Sequence, residues 1–290
     1  MSVLLVSRGS MSGGNLIGHC LGRTLGCPYV TREELMARVN AHGEIATRVL
    51  AGLDRAAKDY RTFSEVRRPY KVLMRLALLE YARGGSMAYF GYSGHLLLPP
   101  VAHFVRVRLS APMVVRIQTT RDRLKVSEAQ AIDYIERVDE DRTRWARFMY
   151  GADIRDPKLY DLVINLRRIS IEGACALLHE IVRRDDFQPT PASLEQVEDL
   201  YLAAQVEAAV LARESTRLLE VGARAHAGEV VLQGPYLEDE ELEQVVAAAK
   251  SVPGVASLEY QPGYAPDVEC PTDGDPPPRA AASAGEGGRP

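Results

Sequence analysis

The sequence predicts an α/β protein in which a parallel sheet is flanked by helices, followed by a small α+β module. Short apolar runs alternate with longer amphipathic stretches through residues 1–187, as strands and helices do in parallel sheets. A segment rich in proline, threonine and serine then interrupts this alternation, and a hairpin pattern follows it. We therefore divide the chain into a first domain at 1–187, a linker at 188–202, a second domain at 203–262 and a tail at 263–290.

The first domain is predicted to contain four strands and the helices that connect them. Each strand is a mostly apolar run that is too short for a core helix: residues 3–6, 87–90, 104–109 and 162–165. The helices are expected at residues 15–25, 32–83, 127–150 and 171–182, with Pro69 interrupting the second. Ser127 is a candidate N-cap of the third helix, because its hydroxyl can accept from the first free backbone N–H groups.

The second domain is predicted to be a small α+β unit. Its elements are a helix at 194–212, extended segments at 217–227 and 229–233, a helix at 242–252 and a strand at 255–260. Gly228 separates the two extended segments, which favours a hairpin. The tail is rich in proline, glycine, alanine and serine and has no apolar period, so we expect it to be disordered.

Composition indicates a globular protein that lies outside membranes. The 290 residues are 46% hydrophobic and 26% charged with a net charge of −4, so no basic excess points to a nucleic-acid partner. The first apolar run reaches Arg8 after four residues, which indicates a buried strand and not a signal peptide. No run approaches the roughly 18 apolar residues of a membrane span. We therefore expect a cytoplasmic protein.

The cysteines give no sign of a metal site. They are spread along the chain as Cys20, Cys27, Cys175 and Cys270. None belongs to a C-x-x-C pair, and no histidine stands at ligand spacing from a second cysteine. Core or surface thiols are therefore expected, and no metal ligand is assigned.

A glycine-rich stretch joins the first strand to the first helix. Residues 7–18 are SRGSMSGGNLIG, and this place in an α/β chain is that of a phosphate-binding loop. Against the Walker A pattern G-x-x-x-x-G-K-[ST], Gly13 matches the last glycine, whereas Gly14 replaces the lysine and Asn15 replaces the hydroxyl residue. By this pattern alone, a tight turn explains the stretch about as well as a phosphate site does.

Elements in the expected order resemble the cytidylate kinase-like family, a branch of the P-loop nucleoside monophosphate kinases. The family opens with an apolar strand and S-R-x-x-G-S-G-G, which residues 7–14 match except that Met11 replaces a glycine. Residues 26–35, GCPYVTREEL, match its second element. A lid segment with D-x-x-R has its counterpart at 139–142, and the family's Y-D-L-V-I-N is matched fully at 160–165.

The resemblance implies a P-loop kinase-like fold, with ATP and Mg²⁺ as the donor and a nucleoside monophosphate-like acceptor. In this family the loop lysine is replaced as a rule, and Arg8 is the natural substitute cation by its position and charge. The implied site residues are phosphate-binding Ser10, Ser12, Gly13, Gly14 and Asn15, catalytic Arg8, Arg137 and Arg142, and the acceptor or lid residues Arg32, Tyr92 and Asp139.

One position outside the loop departs from the family where chemistry is sensitive. The strand at 87–90 should be followed by G-R-G-A, but Tyr92 replaces the arginine and offers one hydroxyl and no charge. No aspartate follows this strand as a Walker B metal ligand. Two functions therefore stay open: a phosphotransferase, and a catalytically weak or inactive regulator that senses a nucleotide. The lid-helix charges also have a plainer interpretation as i,i+3 and i,i+4 pairs on an exposed helix.

Residues 203–262 resemble the BON domain. Its members carry G-x-V-x-L-x-G, matched here by GEVVLQG at 228–234, then an amphipathic helix and a G-V motif, matched at 254–255. The resemblance implies a module that binds a small ligand, a protein partner or a second copy of this chain. The acidic residues at 238–243 would be repelled by anionic lipid, although negative charge also suits a helix N-terminus.

Overall fold

A computed structural model describes residues 2–47, 49 and 60–263 of the chain. The part of the predicted tail at 264–290 lies outside the described residues. Among the helices that the model describes, none is long and apolar enough to cross a membrane.

A five-stranded sheet forms the centre of the first domain. Its strands are β1 (Val3–Arg8), β2 (Tyr29–Thr31), β3 (Met87–Gly91), β4 (Phe104–Ser110) and β5 (Leu162–Asn165). Their order is β2-β3-β1-β4-β5, and every pairing is parallel. The predicted parallel sheet is therefore confirmed, with β2 as an additional strand at its edge.

Helices cover both faces of this sheet. They are α1 (Gly14–Leu25), α2 (Arg32–Asn40), α3 (Tyr60–Arg83), α4 (Met113–Leu124), α5 (Glu128–Tyr150) and α6 (Ile171–Ile181). Successive residues of β1 point to opposite faces, so Val3 and Leu5 join a core that includes α3, whereas Leu4 and Val6 join a second core that includes α1 and α6. A continuous apolar run at β1 is what a strand buried on both faces requires.

The strand order places one crevice at the carboxyl edge of the sheet. The chain leaves the central strand β1 toward β2 at one edge, and leaves β4 toward β5 at the other. Ligands of open parallel sheets bind outside the carboxyl ends of strands at such a switch point. The loop after β1, residues 9–13, lies at this point.

The C-terminal module is a separate three-stranded sheet with helices against it. Its elements are α7 (Pro191–Ala212), β6 (Gly222–His226), β7 (Glu229–Gly234), α8 (Asp239–Lys250) and β8 (Ser257–Pro262). β6 and β7 form the antiparallel hairpin, and β8 pairs parallel with β7. Helix α7 begins at Pro191 because Thr190 caps it, and proline is well suited to the first helical turn. The helix predicted at 194–212 is therefore confirmed, and it begins inside the segment assigned as linker at 188–202.

The module is held against the first domain by helix α3. Arg75 forms a buried ion pair with Glu207 of α7. About two turns earlier on α3, Arg68 donates to the backbone carbonyls of Leu219 and Val221, which lead into β6. Buried charge that is paired in this way fixes the relative position of the two elements, since neither charge can be left alone in the interior.

The prediction that the cysteines are thiols is wrong for two of them. Cys20 of α1 and Cys175 of α6 form a disulfide, whereas Cys27 is a buried thiol. The two cysteines are 155 residues apart in the sequence, so no local spacing predicts that they pair. It arises because α1 and α6 pack side by side on one face of the sheet, which brings the two Cα atoms to 6.3 Å.

Candidate functional site

The loop between β1 and α1 forms a compact turn over the carboxyl edge of the sheet. Gly13 has φ +84° and Met11 has φ +54°, so both residues are in the left-handed region. The Ser12 hydroxyl donates to the Gly9 carbonyl at 2.9 Å, which closes the turn. Gly13 is the N-cap of α1 and supplies no side-chain cap, so the first N–H groups of the helix are available to an anion.

The Arg8 side chain lies directly over Gly14. A Cβ built on Gly14 would be 2.3 Å from Cδ of Arg8 and 3.3 Å from its Nε, far inside ordinary carbon contact. Arg8 therefore occupies the space that a lysine side chain at this position would need. Its Nε is buried and has no hydrogen-bond partner among the described residues, which leaves a charged donor beside the helix N-terminus.

Arg142 of α5 brings a second guanidinium to the same place. It donates to the backbone carbonyl of Arg8 at 3.3 Å. Burial and the nearby positive charge of Arg8 lower the pKa of Arg142. Within the described part of the chain neither arginine forms an ion pair, although the charge of Asp139 offsets part of the effect of Arg8 on the pKa of Arg142. Two close cations without a carboxylate partner form a site whose charge is best balanced by a bound anion.

Tyr92 connects Arg142 to a third arginine. The Cζ atoms of Arg142 and of Arg32, at the start of α2, lie over the Tyr92 ring at 5.3 and 5.8 Å from its centroid. Arg32 also hydrogen-bonds the hydroxyl of Tyr70 on α3, where burial raises the tyrosine pKa to about 12. The structure thus brings α2 and α5 together at one aromatic ring that follows β3.

A carboxylate of helix α5 holds the loop itself. Asp139 accepts from the Ser10 N–H at 3.1 Å and from the Ser10 hydroxyl at 2.8 Å. Arg116 of α4 donates to the Ser10 carbonyl at 2.8 Å and also pairs with Asp139. Although burial raises the pKa of Asp139, the hydrogen bonds from Ser10 and Arg116 outweigh it and lower the pKa. Arg116 was assigned no role from the sequence, because it matches no motif and only the folded chain brings it to the loop.

Arg137 lies away from this cluster. Its side chain is exposed. Arg137 stands two residues before Asp139, so the two side chains leave the helix about 160° apart around its axis. The other predicted residues, Arg8, Ser10, Ser12, Gly13, Gly14, Asn15, Arg32, Tyr92, Asp139 and Arg142, all lie in the loop or in the elements that surround it.

Comparison with known proteins decides the family. A model of the cytidylate kinase-like family matches residues 3–168, more than half of the chain. The chain belongs to the cytidylate kinase-like family. It is 26% identical over 167 residues to a cytidylate kinase of Ignicoccus hospitalis, which is 57% of this chain and 90% of that protein. It is 28% identical over 107 residues to a cytidylate kinase of Staphylothermus marinus, 36% of this chain and 59% of that protein.

Solved structures show weaker similarity to this family member. A protein from Eubacterium ventriosum is 15% identical, with a TM-score of 0.47, over 63% of this chain and 100% of its own. A shikimate kinase from Bacteroides thetaiotaomicron is 13% identical, with a TM-score of 0.38, over 63% of this chain and 99% of its own.

A polar network behind the loop includes Tyr160, the first residue of the family's Y-D-L-V-I-N element. The Tyr160 hydroxyl donates to the Ile154 carbonyl at 2.7 Å, and its oxygen lies 3.2 Å from the Ser7 hydroxyl oxygen. Arg108 of β4 donates to Ser7 at 3.0 Å, and Ser7 donates to the Tyr92 carbonyl at 3.1 Å. This network fixes the backbone after β3 relative to the end of β1.

The loop offers one oxygen suited to a hard cation. Oδ1 of Asn15, where the Walker pattern has a hydroxyl, is buried and accepts no hydrogen bond from the described residues. An amide oxygen is a ligand type that Mg²⁺ accepts. Among the described residues, no cluster of three histidine, cysteine, aspartate or glutamate side chains could hold a metal by itself. The residues therefore fit a metal that is held mostly by phosphate oxygens and water.

Proposed function

We propose that this protein is a phosphotransferase that moves the γ-phosphoryl group of ATP to a nucleoside monophosphate-like acceptor. The observation that carries the proposal is the pair Arg8 and Arg142, which lie close together without a carboxylate partner beside the open N-terminus of α1. Family membership and the two cytidylate kinase relatives support this reaction class.

The donor phosphates would lie on the loop. Backbone N–H groups of residues 12–15 would bind the phosphate oxygens, and Arg8 would supply the charge that lysine gives in other P-loops. Mg²⁺, when bound, neutralises charge on the donor phosphates, with Asn15 as the protein oxygen beside it. Arg142 would stabilise the charge that spreads over the transferring group. Arg137 takes no part, because it is exposed on another side of α5.

The acceptor would bind between the lid helix and the start of α2. Arg32 and Arg142 flank this region and can both reach a phosphate monoester. Asp139 would keep the lid helix on the loop through Ser10, so that Arg142, one turn further along, stays close to Arg8. Such an arrangement would position the two substrates and exclude water, as phosphoryl transfer requires.

A specific observation favours the regulator as a second candidate. The Ser10 N–H and hydroxyl, both predicted phosphate ligands, are engaged by the Asp139 carboxylate. A protein in which the contact between Asp139 and Ser10 never breaks would bind a nucleotide without transferring phosphate. Residues 203–262 would then act as a BON-like module that binds a ligand, a protein or its own copy, and α3 would connect it to Arg32 through Tyr70.

Titration and turnover test the two candidates together. Purified protein is titrated with ATP and Mg²⁺ by calorimetry and then assayed for ADP formation with a panel of nucleoside monophosphates. We expect ATP to bind, and we expect Arg8→Ala to weaken this binding. Arg23 is an exposed arginine on α1, the helix that follows the loop, and Arg23→Ala should leave ATP binding unchanged. Binding without turnover for any acceptor would reject the phosphotransferase and retain the regulator. Absence of ATP binding would reject both.

A further inference from the structure

Tyr92 is placed where its ring contacts two cations from different elements. Arg32 comes from the start of α2 and Arg142 from the lid helix α5, and both guanidinium carbons lie within 6 Å of the ring centroid, at 5.8 and 5.3 Å. That range is where the negative face of an aromatic ring attracts a cation. The Tyr92 hydroxyl forms no hydrogen bond to the described residues, so the ring is the part of the side chain that makes contacts.

The Tyr92 ring adds to the contacts that hold these cations, since Arg32 also bonds the Tyr70 hydroxyl and Arg142 the Arg8 carbonyl. The positive charge of Arg8 acts on Arg142, and the Asp139 carboxylate, three residues earlier on α5, offsets only part of it without forming an ion pair with Arg142. Repulsion would turn these long side chains toward solvent. A carboxylate at position 92 would hold them but would also neutralise the site. An aromatic ring attracts both guanidiniums and leaves their full charge for an anion.

The backbone of Tyr92 is itself fixed. Its carbonyl accepts from the Ser7 hydroxyl at 3.1 Å, and Ser7 is held by Arg108 and Tyr160. The ring therefore stands on a part of the chain that is tied to the end of β1, whereas α2 and α5 approach it from outside. A fixed ring can keep two side chains from separate elements in a constant position relative to the loop.

We propose, resting on the proposed function above, that Tyr92 is a positioning residue whose ring holds Arg32 and Arg142 toward the acceptor phosphate. The loss of the family's arginine then removes one cation without dismantling the site. The acceptor is a phosphate monoester that is bound by two arginines, and the tyrosine hydroxyl is dispensable.

The test separates the ring from the hydroxyl in the full-length chain. Tyr92→Phe keeps the ring, and Tyr92→Leu keeps a similar apolar volume without it. Arginine side-chain Nε–H signals are recorded by NMR in ¹⁵N-arginine-labelled protein and assigned with Arg32→Lys and Arg142→Lys. CMP affinity is followed by the fluorescence of Trp145, the single tryptophan, which lies on α5 with its ring against Tyr70.

We expect the ring-shifted signals of Arg32 and Arg142 to persist in Tyr92→Phe and to move to ordinary positions in Tyr92→Leu. The CMP dissociation constant should stay within about twofold in Tyr92→Phe and rise about tenfold in Tyr92→Leu, since two partly exposed cation–π contacts are lost. Melting temperatures of the variants show whether each is folded before affinities are compared.

Two results would overturn the role of the ring. One is a Tyr92→Phe protein that behaves like Tyr92→Leu, which would assign the effect to the hydroxyl. The other is a Tyr92→Leu protein that keeps both the arginine signals and the CMP affinity. If the unmodified protein binds ATP but not CMP, the proposed acceptor is wrong, and the arginine signals alone then decide whether Tyr92 positions the two cations.

Discussion

Restoring the Walker lysine is expected to damage this loop. Gly14 stands at the lysine position, and a Cβ there would lie 2.3 Å from Cδ of Arg8. Carbon atoms pack at about 3.5–4.0 Å, so Gly14→Ala or Gly14→Lys must push the Arg8 side chain away by more than about 1 Å. Because Arg8 is a flexible side chain, the chain can fold around this change, and the effect should fall on nucleotide binding.

The size of the effect follows from the contact that Arg8 would lose. A hydrogen bond to a charged group contributes about 1.5–3 kcal/mol, which corresponds to a rise of about 10- to 150-fold in the dissociation constant for ATP. Gly14→Ala should therefore approach the loss seen in Arg8→Ala. In the double variant Arg8→Ala/Gly14→Lys the space is vacant and an ammonium replaces the guanidinium, so binding should be no weaker than in Arg8→Ala alone.

Calorimetry with ATP and Mg²⁺ measures this coupling on the unmodified protein, Arg8→Ala, Gly14→Lys and their double variant, with Gly14→Ala as the smaller change at the same position. Gly22→Ala is the matched control, because a Cβ at Gly22 on the same helix would meet Tyr29 at an ordinary 3.6 Å. Melting temperatures confirm that all variants are folded. The steric exchange between Arg8 and Gly14 is refuted if Gly14→Ala binds ATP as tightly as the unmodified protein, or if the losses of the two single variants multiply in the double variant.

Three more substitutions test contacts around the loop and behind it. Because the pKa of Asp139 is lowered, its carboxylate stabilises the fold at neutral pH, and this stabilisation is lost as pH falls through that pKa. Asp139→Asn should lower the free energy of unfolding at pH 7 by about 1 kcal/mol. It should also flatten the acid side of a plot of melting temperature against pH. Glu207→Leu leaves Arg75 buried without its partner and should lower the free energy of unfolding by about 3–5 kcal/mol in urea, whereas Arg75→Met/Glu207→Leu should recover most of it. Met11→Gly relieves a left-handed backbone and should raise the free energy of unfolding by about 0.5–1 kcal/mol after the entropy of glycine is included, seen as a slightly higher melting temperature.

Local patterns were sufficient for most of the first domain. The buried run at β1 and the glycines that follow it predict a strand, a turn and a helix, because each depends on neighbours in the sequence. The family was predicted from motifs of the same local kind and is confirmed over residues 3–168. β2 was missed because three residues are too few for an alternation to be recognised. Pro69 interrupts no helix: it lies within α3.

Contacts that depend on packing could not be predicted. The pairing of Cys20 with Cys175 exists only because α1 and α6 lie side by side. Arg116 reaches Ser10 and Asp139 from a helix that carries no motif. Contacts between segments that are distant in the sequence leave no local period or spacing. The contacts of Asp139 and Arg116 with Ser10 are therefore seen only in the folded chain.

Tyr92 shows how the folded site changes the meaning of a substitution. In the sequence it is a lost arginine, which suggests a lost phosphate ligand. In the structure its ring contacts Arg32 and Arg142, and neither Arg8 nor Arg142 has a carboxylate partner in the described chain. The capacity to bind an anion depends on the summed positive charge and on the open helix N-terminus, and both are present without an arginine at 92. What separates an enzyme from a nucleotide sensor here is therefore whether an acceptor can enter between two arginines that a fixed ring already holds.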